Sequence, residues 1–285
     1  MKIKNLVSRF IRTKRIATVS SESSVGTKRS ELMWRQEGFL PIDESLADDI
    51  FLVGYPKSGN TWMQNLLAGL LFRVNTQYLP DRLTQVLIPN VHGFGYYKRI
   101  GTPTIFKSHF LPRPEYRRVV YLVRDGRDAI VSYFHMLQAE GKSVSYEEMI
   151  EREVGLFPCK WNEHVRQWHE NPFGAEMMFI RYEDLLSNPV EQLMRFCEFS
   201  GLDRTVNEIS DCVKGNSFES MQAKEREFGW NNSNWNPEKA FIRRGRSGDY
   251  KLEMPIRAVR AFNAQSSKEL ELFEYSIGSE SLGHD

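Results

Sequence analysis

The chain reads as an α/β protein with a mainly parallel central sheet and helices on both faces. Three observations predict this. Short apolar runs recur at 50–53, 104–107, 118–123 and 177–182, the composition of strands covered on both sides. Amphipathic helical patterns follow at 125–138, 145–154, 159–169, 189–200 and 203–213, and such strand–helix alternation favours parallel pairing. The first run also passes straight into Gly54-Tyr55-Pro56-Lys57-Ser58-Gly59, the Gly-x-x-x-x-Gly spacing of a phosphate-binding loop. The predicted topology is therefore P-loop-like and nucleotide-binding.

Bulk properties bound the classes. A length of 285 residues suffices for one large domain with a full core. The net charge of +1 argues against a nucleic-acid binder, and no apolar run approaches the roughly 18 residues that span a bilayer. Three cysteines without metal-like spacing suggest a reducing, cytoplasmic compartment. The charge is unevenly spread. Residues 1–30 carry eight Lys or Arg against Glu22 alone, which leaves the remainder at −6. We expect residues 1–35 to form a basic, Ser-rich extension and 36–285 a catalytic domain. Ile3, Leu6, Val7, Phe10 and Ile11 fall on one helical face ringed by Lys2, Lys4, Arg9 and Arg12. A solvated extension, a peripheral membrane contact through residues 2–15 and a transit peptide all fit that pattern.

In chain order, the strand at 50–53 feeds the glycine loop and then a helix marked by Trp62, Leu66, Leu67, Leu70 and Leu71. Backbone N–H groups at such a helix start face whatever anion lies there. Residues 74–103, rich in Pro, Gly and aromatics, read as a long functional loop. The strand at 104–107 presents Lys107 and His109 on one side by period-two alternation. The strand at 118–123 delivers Arg124, and Asp125 is placed to cap the next helix, with Ser132 two turns along. Arg127 and Asp128 read as a solvated helix pair. Residues 241–251 (Phe241-Ile-Arg-Arg-Gly-Arg-Ser-Gly-Asp-Tyr-Lys251) form a cationic glycine loop suited to a phosphate.

These stations together resemble the sulfotransferases that use 3′-phosphoadenosine-5′-phosphosulfate (PAPS), over residues 50 to 251. The family loop is Tyr-Pro-Lys-Ser-Gly-Thr-Thr-Trp. Here Asn60 replaces its first Thr, which keeps the backbone donors and removes one hydroxyl. The resemblance implies a 5′-phosphosulfate site at Lys57, Ser58, Gly59, Asn60, Thr61 and Trp62. It implies a 3′-phosphate clamp of Arg124, Ser132, Arg243, Arg244 and Gly245. An adenine site at Trp62, Tyr182, Ser217, Phe218 and Met221 follows likewise. Lys107-Ser108-His109 is similar to the family's Lys-Thr-His, in which the histidine is the general base, and Lys57 and Lys107 would hold the transferring group.

The implied reaction moves a sulfonate from PAPS to a hydroxyl, or less commonly an amine, of a small-molecule, carbohydrate or lipid acceptor, with no metal. A P-loop small-molecule kinase is the alternative enzyme, but Asn60 stands where its lysine belongs and Arg124 where a magnesium-binding carboxylate would. A non-catalytic nucleotide-binding protein is the third reading. The aromatics of 74–103 and of 228–235 suit an apolar pocket, sugar stacking or core equally. The family's Lys-x-x-x-Thr-Val-x-x-x-Glu dimer segment is not matched after Lys251, so oligomeric state stays open.

Overall fold

The computed structural model describes residues 32–229, 235, 236 and 238–277. The basic face at 2–15 lies outside these. The chain divides into two compact units, 1–40 and 41–285. In the first, residues 32–36 are helical. Strand β1 is Phe39–Pro41.

In the second unit, β2 (Ile50–Gly54) leads into α1 (Asn60–Phe72). After α2 (Asp81–Leu87) and β3 (Tyr96–Lys98) come β4 (Ile105–Ser108) and β5 (Arg118–Val123). Helices α3 (Gly126–Ala139), α4 (Tyr146–Arg152) and α5 (Trp161–Glu170) then precede β6 (Glu176–Arg181). The remainder is helical: α6 (Tyr182–Ser187), α7 (Pro189–Ser200), α8 (Val206–Gly215), α9 (Phe218–Phe228), α10 (Tyr250–Glu253) and α11 (Ile256–Leu272).

Four strands form one parallel sheet in the order β4-β2-β5-β6. Alternation along them separates two cores. Ile50, Leu52, Val120, Leu122 and Ile180 join Leu66, Leu67, Leu193 and Phe196 in an aliphatic layer. Facing the other way, Phe51 stacks on Tyr116 at 3.7 Å, and Trp168 of α5 packs near Tyr116 and Tyr121. Register positions the site. Val53 lies opposite both Ser108 and Tyr121, and Val123 opposite Arg181. The strands therefore release their next residues along one edge, where parallel α/β sheets form their ligand crevice.

Two expectations need correction. Residues 74–103 are not irregular throughout, since they hold α2, a 3₁₀ turn at Thr76–Tyr78 and β3. The buried positions of α2 are Asp81 and Thr84, so no apolar stripe marked it. Arg127 and Asp128 are not solvated but 2% and 1% exposed. Arg127 forks onto the Asp125 carboxylate at 2.9 and 2.7 Å, and Asp128 accepts the backbone N–H groups of Gly248 and Tyr250 at 2.6 and 2.9 Å. That carboxylate ties the late cationic loop to α3.

Candidate active site

A cavity of about 620 Å³ opens at the C-terminal edge of the sheet. Lys57, Gly59, Asn60, Thr61, Trp62, Lys107, His109, Arg124, Ser132, Tyr182, Phe218, Met221, Arg243, Arg244 and Gly245 all line it. Two predicted residues do not. Ser58 is fully buried and its hydroxyl has no protein partner. Ser217 spends its hydroxyl on the start of α9, accepting the Ser220 N–H at 3.2 Å.

The glycine loop is closed from within. Asn60 Nδ2 donates to the Tyr55 carbonyl at 3.0 Å, and Ser58 N–H donates to the same oxygen at 3.1 Å. Asn60 thus braces the turn with an amide where the family has a hydroxyl. Gly59 has φ +96°, and a Cβ there would lie 2.6 Å from Tyr182 Cδ2. Lys57 itself adopts φ +73°, a strained state of the kind concentrated in ligand-binding turns. Beyond Gly59, the first N–H groups of α1 have no partner within the helix and form a donor cradle.

Cations gather around this cradle. Burial, then the charges of Lys107 and Arg124, holds the Lys57 amine down to about 7. Lys107, lowered to about 8 by burial, donates to Thr61 Oγ1 at 3.3 Å. Arg124 lies 4.5 Å over the Tyr182 ring, donates to the Lys57 and Arg246 carbonyls, and keeps its buried Nε without a partner. From the late loop, Arg243, Arg244 and Arg246 converge on the Asp249 carboxylate at 3.0, 3.2 and 2.6 Å. So many positive groups in one crevice favour a multiply charged anion.

His109 occupies the same edge. Its Nδ1 meets the Gly54 carbonyl at 2.7 Å. A carbonyl only accepts, so Nδ1 carries the proton and Nε2 keeps its lone pair. Burial, then Lys107, holds the ring's pKa well below the ordinary imidazole value, so it is neutral at pH 7. His164, on α5, approaches the His109 carbonyl with Nε2 at 3.1 Å while Tyr121 hydroxyl donates to its Nδ1 at 2.8 Å. Trp62 Nε1 donates to the Asn216 carbonyl, and its ring meets Tyr182 edge-on at 6.0 Å in the cavity wall.

Residues outside the predicted set complete the wall. They include His92, Tyr133, Met136, Phe157, Phe241, Arg246 and Asp249. The aromatics of 74–103 do not join them: Tyr97 packs on Phe106 and Tyr78 is largely exposed. Of 228–235, residues 230–234 lie outside the described residues, and Trp235 stands 6.0 Å from Lys57 Nζ. Asp249 could have been found as the acid among four bases in 243–251. His92 carried no spacing signal.

Residues 47–274 match the family model of the sulfotransferase domain. The chain belongs to the sulfotransferase family. A cytosolic sulfotransferase of Arabidopsis thaliana is 30% identical over 71% of each chain. An amine sulfotransferase of Oryctolagus cuniculus is 25% identical over 79% of this chain and 82% of its own. In fold, this sulfotransferase is similar to a mouse sulfotransferase complexed with PAP (TM-score 0.61, 20% identity, 82% and 90% coverage). It is also similar to a retinol dehydratase in complex with retinol and PAP (TM-score 0.62, 19% identity, 80% and 82% coverage). Among the described residues, no helix is long and apolar enough to cross a membrane.

Proposed function

We propose that this sulfotransferase transfers a sulfonate from PAPS to a hydroxyl of a small-molecule acceptor, with His109 as general base. The observation that carries the reading is the joining of Lys57, Lys107, Arg124 and a neutral His109 in one cavity. The lining fits the nucleotide: a helix-start cradle, an arginine with an unpartnered buried N–H, and the rings of Trp62, Tyr182 and Phe218 in the same wall. PAPS supplies an electrophilic sulfonate joined to a 5′-phosphate leaving group.

Each side chain then has a task. His109 Nε2 takes the acceptor's proton as the new S–O bond forms. Lys57 and the α1 backbone donors receive the charge left on the 5′-phosphate oxygen as the old S–O bond breaks. Lys107, steadied by Thr61, holds the sulfonate oxygens. Such fixed donors placed where charge develops are commonly the largest catalytic contribution. Arg124, Arg243 and Arg244 grip the 3′-phosphate, while Trp62, Tyr182 and Phe218 enclose the adenine. An amine is the second acceptor class, since a neutral amine also surrenders a proton to a base.

Two variants test the division. His109→Ala should lower kcat by roughly 10²–10⁴-fold and leave affinity for adenosine 3′,5′-bisphosphate (PAP) within a few-fold. Arg124→Ala should weaken PAP instead, chiefly through its 3′-phosphate. Near wild-type turnover by His109→Ala would remove the base from the scheme.

A further inference from the structure

The role of His92 is not accounted for by donor binding or by the base. Val91 N–H donates to the Lys107 carbonyl at 3.0 Å and Lys107 N–H to the Pro89 carbonyl at 2.8 Å, so this segment runs as a short bridge beside β4. It brings His92 alongside His109. His92 Nε2 accepts the His109 backbone N–H at 2.8 Å. An amide N–H only donates, so Nε2 holds a lone pair and the neutral ring's proton sits on Nδ1. The ring stacks on His109 with centroids 5.5 Å apart and 19° between planes, and meets Phe110 and Phe157 at 4.2 and 5.4 Å. It faces the cavity, and among the described residues Nδ1 has no protein partner. His92 is itself exposed at the cavity wall, so its lost hydration is partial; that loss, then the charges of Lys107 and Arg113, lowers its pKa, and the ring is uncharged at neutral pH.

We propose that His92 binds the acceptor, its Nδ1–H donating to a second, uncharged oxygen beside the one that yields its proton to His109. This rests on His109 as the base. The acceptor class so selected is an apolar frame carrying a hydroxyl next to another hydroxyl, ether or carbonyl oxygen. Phe157, in contact with His92 in the wall, suits such a frame, and a neutral donor gives a carboxylate no charge advantage. A compound with only the reacting hydroxyl leaves Nδ1–H to water and forgoes that one hydrogen bond's contribution to affinity.

Two measurements test it. Long-range proton–nitrogen NMR of the imidazole rings should show His92 with Nδ1 protonated and Nε2 not, at neutral pH; the opposite tautomer or a charged ring overturns the proposal. Calorimetry on the enzyme–PAP complex should find 2,3-dihydroxynaphthalene bound roughly fivefold or more tighter than 2-naphthol, beyond the statistical advantage of its two equivalent hydroxyls. In His92→Phe, which keeps a ring beside His109 and removes the Nδ1–H donor, that ratio should fall to about one. Absence of the preference in wild type, or its survival in His92→Phe, overturns the proposal. Near wild-type turnover in His109→Ala contradicts the base assignment separately, because neither His92 measurement involves turnover.

Discussion

At Lys57 and Lys107 burial works against charge, and the nucleotide reverses that. In the free protein the two amines are held to about 7 and about 8, each chiefly by burial. A phosphate placed against them favours the ammonium form and raises both values. At pH 8 and above, the free protein has shed protons that the complex retains. PAP binding should therefore take up protons there, and affinity should fall as pH rises through this range. A unit or more below 7 both lysines are charged in either state and the uptake should vanish. Calorimetry in buffers of different ionisation enthalpy reads this directly; equal apparent heats at pH 8.5 would mean that the lysines do not meet the phosphates. The lysine and histidine positions were legible in the sequence because Lys57 and His109 come just after strands and Lys107 lies on one, two residues before His109. Their electrostatics were not, because Lys57 and Lys107 lie 50 residues apart and only the register of β2 with β4 brings them together.

Among elements, the late cationic loop depends on carboxylates as much as on its arginines. Asp249, 2% exposed, collects Arg243, Arg244 and Arg246, while Asp128 of α3 holds the backbone at Gly248 and Tyr250. The sequence showed the glycines and bases of this loop. It could not show that Asp128 faces inward, since an Arg-Asp pair at a helix start looks the same whether solvated or buried. Gly245 has φ +59°, and a Cβ there would reach within 2.4 Å of Phe218 Cδ2, so the loop packs on the start of α9. Asp249→Ala should release the arginines to solvent and weaken PAP about tenfold, with little change for adenosine 5′-monophosphate, which lacks the 3′-phosphate. A parallel loss for both nucleotides, measured by competition, would assign the loop to adenine or to overall folding instead.

For the whole molecule, the alternation of strands and helices carried the fold, because buried parallel strands are written as uninterrupted apolar runs. Helices α9 and α11 escaped that reading. The buried residues of α9 are Met221 and Lys224, and Lys224 Nζ donates to Asn65 Oδ1 at 2.6 Å, so its inner face is partly polar. We propose that residues 36–285 form the catalytic domain and that the basic extension is dispensable for chemistry. All the matched stations lie after residue 50. A chain starting near Glu31 should keep turnover on a soluble acceptor within about twofold. If the extension binds anionic membrane, liposome affinity should fall on truncation, clustered bases contributing roughly 1 kcal/mol each at the surface. A folded truncation without turnover would place part of the active site in the extension.

Sulfonate transfer itself is tested most directly by product mass. The protein, PAPS and a panel of hydroxylated compounds are incubated in EDTA without ATP, and the products are weighed by mass spectrometry. The predicted result is an acceptor heavier by one sulfonate with stoichiometric PAP release, both formed roughly 10²–10⁴-fold more slowly by His109→Ala. PAP bound without any sulfonated product across the panel, or phosphate rather than sulfonate gained when ATP and magnesium are supplied, would contradict it.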